Sequence, residues 1–379
     1  MSQLTHAQFL ALRRFPALDG LRAIAAVMVV FSHYGGHRWA PYAGWLGVHL
    51  FFVISGFLIT TLALREEDRN GRVSVRNFWI RRIFRLMPVY YVVLGATVLL
   101  YFLRGEFFSA RVDEVLPYYL TFNNEYIAAG HIFGHSWTLA IEQKFYIVWP
   151  VIAFALGAMP FGRRLSVAFG AIGLLVAAMV VPFYSWGTPS YIVILMGCVL
   201  AIAMHYRQGF AVVRHLTHPV AGFVFAIGLV ALHLTAMSWL SAFGGDTVLI
   251  LVYGACVFLL LPGLFAGGPL VSFLSLKPMR FVGERSYSLY LIQQFAAIVL
   301  MAAMPVFKVE RTISAVAVTL VGLMIADLLY RWVEQPMIEV GRRLIARIGR
   351  PGGPRRDEPA PAAPEAARGE APQLVPNTV

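Results

Sequence analysis

The chain has 379 residues, of which 59% are hydrophobic and 13% charged, and its mean hydropathy is +0.70. Soluble globular domains are about half apolar and a quarter charged, so this composition excludes that class and describes a polytopic membrane protein. The net charge of +12 is strung between apolar spans rather than gathered in one domain, which argues for cytoplasmic loops and against a nucleic-acid binder.

Residues 1–17 carry Arg13 and Arg14 and precede an apolar run, superficially like a signal peptide. Asp19 and Arg22 interrupt that run, and no small-residue cleavage site follows, so it is read as a retained first helix. The run, LDGLRAIAAVMVVFSH over residues 18–33, ends on a lone histidine. From Arg22 to His33 is about three turns, so both lie near one face, about 16 Å apart along the axis, and Asp19 shares that face. Ionisable groups at membrane depth are expensive and mark functional paths. The blander reading makes Asp19 and Arg22 surface anchors and His33 a buried hydrogen bonder. Ser32 adjoins His33 but points about 100° away, so the two form no catalytic pair.

A glycine-bearing turn over residues 34–44 leads to a second span at 45–64. The most basic stretch follows at 65–85, with seven arginines, and then a third span at 86–103. Arg82 and Arg85, three apart, share a helical face at the cytoplasmic boundary. Their planar forks suit phosphate oxygens, and anionic lipid headgroups would satisfy them too. A long loop, 104–136, holds aromatics, acids, His131 and His135. The fourth span, 137–158, has Glu142 and Lys144 just inside an apolar helix. Glu142 can orient His135 if the helix begins early enough, or pair with Lys144 or Arg38 in a structural role.

Further spans are expected at 165–183, 189–205, 219–237, 247–266, 286–304 and 312–335. In the last, Asp327, Arg331 and Glu334 are spaced by four and three, the pattern of a structural helical ion pair. Cys198 and Cys256 lie inside apolar spans, so neither a disulfide framework nor a cysteine metal site is expected. The fold expected is therefore all-α and polytopic, with about ten transmembrane helices of about 20 residues each. With the N-terminus inside, only Arg38, Arg104, Arg111, Lys144, Lys308 and Arg311 of the 31 basic residues face out, which places both termini in the cytoplasm. Residues 1–340 form the membrane domain. Residues 341–379 form a cytoplasmic, Pro/Ala-rich disordered tail. No P-loop, G-x-G-x-x-G, G-x-S-x-G or HExxH motif occurs, and no metal is expected.

Four stretches together resemble the membrane-bound acyltransferase 3 family. LDGLRAIAAVMVVFSH is similar to its arginine-x10-histidine signature, as Arg22 and His33, and GVHLFFVISGFLI resembles its second-helix motif, with Gly47 and Gly56. RRIFRLMPVY matches its R-x-x-R motif as Arg82 and Arg85. WTLAIEQKFY resembles its W-S-L-x-x-E-x-x-F-Y motif, with Glu142 as the acid and Thr138 where serine is usual. SYSLYLIQQF is similar to a late motif that more often ends in histidine. Gln293 stands in that place, so no catalytic role is assigned to it.

The resemblance implies an integral-membrane O-acyltransferase in the bacterial inner membrane. It would move an acyl group, most often acetyl, from a cytosolic acyl-coenzyme A such as acetyl-CoA to a hydroxyl of an exported glycan. Arg82, Arg85 and Arg22 would hold the donor's phosphorylated end. His33 would act as general base or through a transient acyl-histidine, with Arg22 and Glu142 in the catalytic group and Asp19, Thr138 and Gly47 in support. Some members carry an extra hydrolase-like domain, and the short tail here predicts a form without one. The rival readings are a transporter of a polar solute or lipid-linked sugar, and a non-catalytic membrane scaffold. Acceptor, acyl group and oligomeric state stay open.

Overall fold

The computed structural model describes residues 3–127, 132–155, 157–180, 187–309 and 311–348. His131 and residues 349–379 of the expected tail lie outside them. The described chain is helical, with no strand among its residues. In order the helices are α1 (His6–Ala11), α2 (Pro16–Tyr34), α3 (Gly47–Asn70), α4 (Val75–Leu103), α5 (Val112–Leu120), α6 (Trp137–Phe154), α7 (Phe161–Ala178) and α8 (Thr188–His205). They continue as α9 (Arg207–Val213), α10 (Pro219–Phe243), α11 (Thr247–Leu260), α12 (Pro269–Leu274), α13 (Lys277–Glu284), α14 (Ser286–Ala303), α15 (Thr312–Leu329) and α16 (Gln335–Ile348).

Among the described residues, nine helices are long and apolar enough to cross a membrane, and the chain is an all-α polytopic membrane protein as the composition implied. The expected tenth span, the fourth in order, coincides with α6. That helix has eighteen residues, but Glu142, Gln143 and Lys144 sit together in it and lower its hydropathy. Pro150 within α6 removes the N–H that would bond the Tyr146 carbonyl one turn back, and the Trp79 indole N–H donates to that carbonyl instead at 3.1 Å.

Two boundaries differ from the sequence expectation. Helix α4 begins at Val75, eleven residues before the expected span, so the basic run is helical. Its start is capped by Ser74 Oγ, which accepts from the Asn77 N–H at 3.3 Å. Residues 341–348, expected in the tail, are the last turns of α16. That helix seats Gly341 on the Phe84 ring, where a Cβ would come within 2.8 Å of the Phe84 Cβ.

Helices α3 and α8 are the most enclosed and cross at glycines. A Cβ on Gly56 would lie 2.0 Å from Ile194 O, and one on Gly197 would lie 2.1 Å from Val53 O. Such close backbone approach is how membrane helices gain dispersion without a hydrophobic drive. The basic segments gather at one end of the bundle. There Arg65 Nη1 donates to Leu12 O at 2.6 Å, and Glu66 pairs with Arg81 at 2.6 Å, Glu67 with Arg164 at 2.8 Å and Asp68 with His205 at 3.3 Å. At the opposite end the Trp39 indole N–H donates to Thr312 Oγ1 at 2.9 Å, and His233 Nδ1 lies 2.7 Å from Tyr42 O.

Candidate functional site

Helices α2, α3, α4, α6 and α14 enclose an inner cavity of about 760 Å³, counting the open space at its mouth. Arg22, Arg82, Arg85, Ser55, Glu142 and Tyr146 line it, and Thr138 and Tyr290 also border it. A second, wider vestibule of about 1130 Å³ opens toward the basic end and is bordered by Asp19, Arg81, Glu284, Glu334 and Arg342. The same three arginines, Arg22, Arg82 and Arg85, line both spaces and mark the boundary between them.

Two of these arginines lie against rings, and none of the three is held by an acid. The Arg22 guanidinium lies 5.8 Å from the Phe51 ring centre, and that of Arg82 lies 5.6 Å from Phe78 and 5.7 Å from Tyr146. Among the described residues, no carboxylate comes within 4.0 Å of any of the three, and none of them hydrogen-bonds to the protein. Glu142 interacts electrostatically with Arg22 and Arg82 across the inner cavity without pairing to either. Beside it, Tyr146 Oη and Ser55 Oγ share a hydrogen bond of 2.5 Å. Half-buried guanidinium groups with unused donors are able to take an anion, because phosphate oxygens can satisfy donors that the protein leaves open.

His33 lies at the far end of α2, exposed, with its Nδ1 3.4 Å from Gln293 Oε1. A hydrogen-bonded path links this end to the inner cavity. Thr138 Oγ1 donates to Tyr290 Oη at 2.9 Å, Tyr290 donates to the His135 carbonyl, and Gln293 Nε2 donates to Tyr290 O at 3.0 Å. His135 sits in the turn before α6, with Nε2 3.1 Å from Leu291 O and Nδ1 3.2 Å from Gln294 Oε1. Burial, and then the neighbouring His33, pushes the His135 imidazole down to about 4.

The fold thus brings Arg22, Arg82, Arg85, Thr138 and Glu142 around one cavity, with Asp19 on the adjoining vestibule. His33 stands apart from them along α2. Gly47 packs α3 against α2, where a Cβ would lie 2.7 Å from Ala25 O. Glu142 does not orient His135, because α6 begins at Trp137 and His135 turns to α14 instead. Nor does it pair with Lys144, which bonds Glu125 Oε1 and Phe122 O, each at 2.9 Å. Asp327 forms the expected pair with Arg331 at 2.9 Å and also binds Arg285 at 2.6 Å, but Glu334 leaves that stripe. Residues Tyr330–Glu334 form a π-helical segment, which resets the phase and turns Glu334 toward the vestibule, where Ser288 Oγ donates to it at 3.2 Å.

Sequence reasoning missed Gln293, which was set aside because the late motif lacks its histidine, yet it is a hydrogen-bond partner of His33. Tyr146 was legible: it stands four residues after Glu142 and so shares its helical face. Ser55 and Tyr290 carry no comparable signal, since only tertiary packing brings their helices to the cavity. No cluster of three or more His, Cys, Asp or Glu able to hold a metal ion occurs among the described residues.

A model of an acyltransferase domain matches residues 15–331 of this chain. The peptidoglycan O-acetyltransferase OatA of Listeria monocytogenes is 30% identical over 363 residues, covering 86% of this chain and 56% of the relative. The O-acetyltransferase OatA of Staphylococcus aureus is 27% identical over 371 residues, covering 90% of this chain and 60% of the relative. The chain therefore spans somewhat over half the length of these relatives. No solved structure matches it.

Proposed function

Because the chain belongs to the acyltransferase 3 family, we propose that it is an O-acetyltransferase moving acetyl from acetyl-coenzyme A to a hydroxyl of a cell-wall or exported glycan. The observation that carries this reading is the set of three arginines, without protein acceptors, between the vestibule and the inner cavity. A coenzyme A thioester has a polyphosphorylated end and a long thin arm. The phosphates suit Arg22, Arg82 and Arg85, and the arm would run up beside α2. Peptidoglycan is the acceptor class favoured by the names of the similar proteins.

In this reading the basic end of the bundle is cytoplasmic, the membrane is the bacterial inner membrane, and both termini lie inside. His33, about 16 Å along α2 from Arg22, meets an acceptor arriving from outside. With Nδ1–H donated to Gln293, the basic lone pair is on Nε2. Nε2 takes the proton of the acceptor hydroxyl, the oxygen attacks the acyl carbonyl, and the imidazolium returns the proton to the departing thiolate. Such base catalysis contributes about 10² to 10⁴ in rate. Glu142 balances Arg22 and Arg82 on the cavity wall, while Thr138 and Tyr290 fix the turn that holds His135.

The test is transfer of labelled acetyl from acetyl-CoA to a glycan acceptor by the purified full chain in detergent or vesicles. Acceptor-dependent release of free coenzyme A is expected. A protein that binds acetyl-CoA yet never consumes it with any muropeptide or polysaccharide acceptor would overturn the enzymatic reading.

A further inference from the structure

Glu334 is a vestibule carboxylate to which the proposed mechanism gives no task. It is 2% exposed, lies on the vestibule with Arg22, Arg82 and Arg85, and is within 4.0 Å of none of them. Its anchor is the fully buried Ser288 on α14. An uninterrupted helix would put Glu334 on the stripe of Asp327 and Arg331, seven and three residues back, and the π-helical segment turns it away. The fold therefore places an acid beside an anion site and tethers it short of pairing.

A transferase has to release coenzyme A with the same phosphates that brought the donor in. Grip that is equal for donor and product lowers KM without speeding the chemical step, and it slows product departure. We propose that Glu334 is a counter-charge that loosens the hold of Arg22, Arg82 and Arg85 on the polyphosphate, so that spent coenzyme A leaves. This inference rests on reading those arginines as the donor site. Ser288 acts as a positioning residue, keeping the carboxylate from closing on the arginines and blocking the site.

The experiment measures coenzyme A binding, with KM and kcat for acetyl-CoA, on the full chain in detergent. At an effective dielectric of about 20, one unit charge across such a cavity changes affinity by about tenfold. Glu334→Gln is expected to bind coenzyme A about tenfold tighter, with steeper salt dependence and with KM and kcat both lowered, while Glu334→Asp stays near the parent. Ser288→Ala is expected to bind more weakly, and shifts of opposite sign do not arise from general loss of structure. If Glu334→Gln binds no tighter while Arg82→Ala and Arg85→Ala bind more weakly, the inference is overturned and the donor site stands. If the arginine variants bind like the parent, the donor-site reading fails and this inference falls with it. Should Glu334→Gln not fold, Ser288→Ala decides alone, and parental or tighter binding sinks the proposal.

Discussion

Arg82 and Arg85 are three residues apart on α4 and share one face, so their forks can engage a single polyphosphate. A well-formed charge-assisted contact contributes about 1.5–3 kcal/mol. Arg82→Ala and Arg85→Ala should each weaken coenzyme A binding by that amount, as read by equilibrium titration in detergent. If both variants bind like the parent, the two side chains serve lipid headgroups instead. His33 tests the other end of α2. His33→Ala should insert at the parental level and bind acetyl-CoA normally, since the imidazole is exposed and far from the arginines. Its transfer rate should nevertheless fall by about 10² to 10⁴. Arg22→Ala should also lose transfer, chiefly through a poorer donor complex. Measuring affinity and rate together separates the two, and parental transfer by His33→Ala would remove the histidine from the chemistry.

At the scale of helices, the α3–α8 crossing braces α3, one of the helices that line the inner cavity. Gly56 and Gly197 meet backbone rather than the tips of flexible side chains, so an added methyl cannot be absorbed by a rotamer change. Gly56→Ala or Gly197→Ala should cost about 1–3 kcal/mol, the usual range for overpacking a tight core. Thermal melting by fluorescence-detected size exclusion would show the loss. Gly170 on α7 is the control, because nothing lies within 4 Å of its added Cβ. Gly170→Ala should be neutral or stabilising by up to about 1 kcal/mol through helix propensity. Equal melting temperatures for the Gly56 and Gly170 variants would contradict the packing argument.

At the scale of the whole molecule, the basic segments share one end of the bundle through contacts between α1, α3, α4, α7 and α8. Reporter fusions at Gly187 and after Arg350 should read outside and inside respectively, as the placement of basic residues requires. Reversal of either signal would invert the membrane orientation, and with it the direction from which donor and acceptor arrive.

The sequence alone determined the helical membrane class, the places of the apolar spans and the Arg22-to-His33 offset, because hydropathy and helical period are local properties. The four quoted motifs named the family for the same reason, since each is a short stretch. Tertiary structure decided which of these residues share a space. Glu142 turned to Arg22 and Arg82, while Lys144 found Glu125, a residue in the preceding loop that no spacing rule connects to it. His33 met Gln293, 260 residues away, at a position the motif comparison had discounted. Glu334 left its ion-pair stripe because one π-helical segment changed the helical phase, and a period counted along the sequence assumes that phase is never broken.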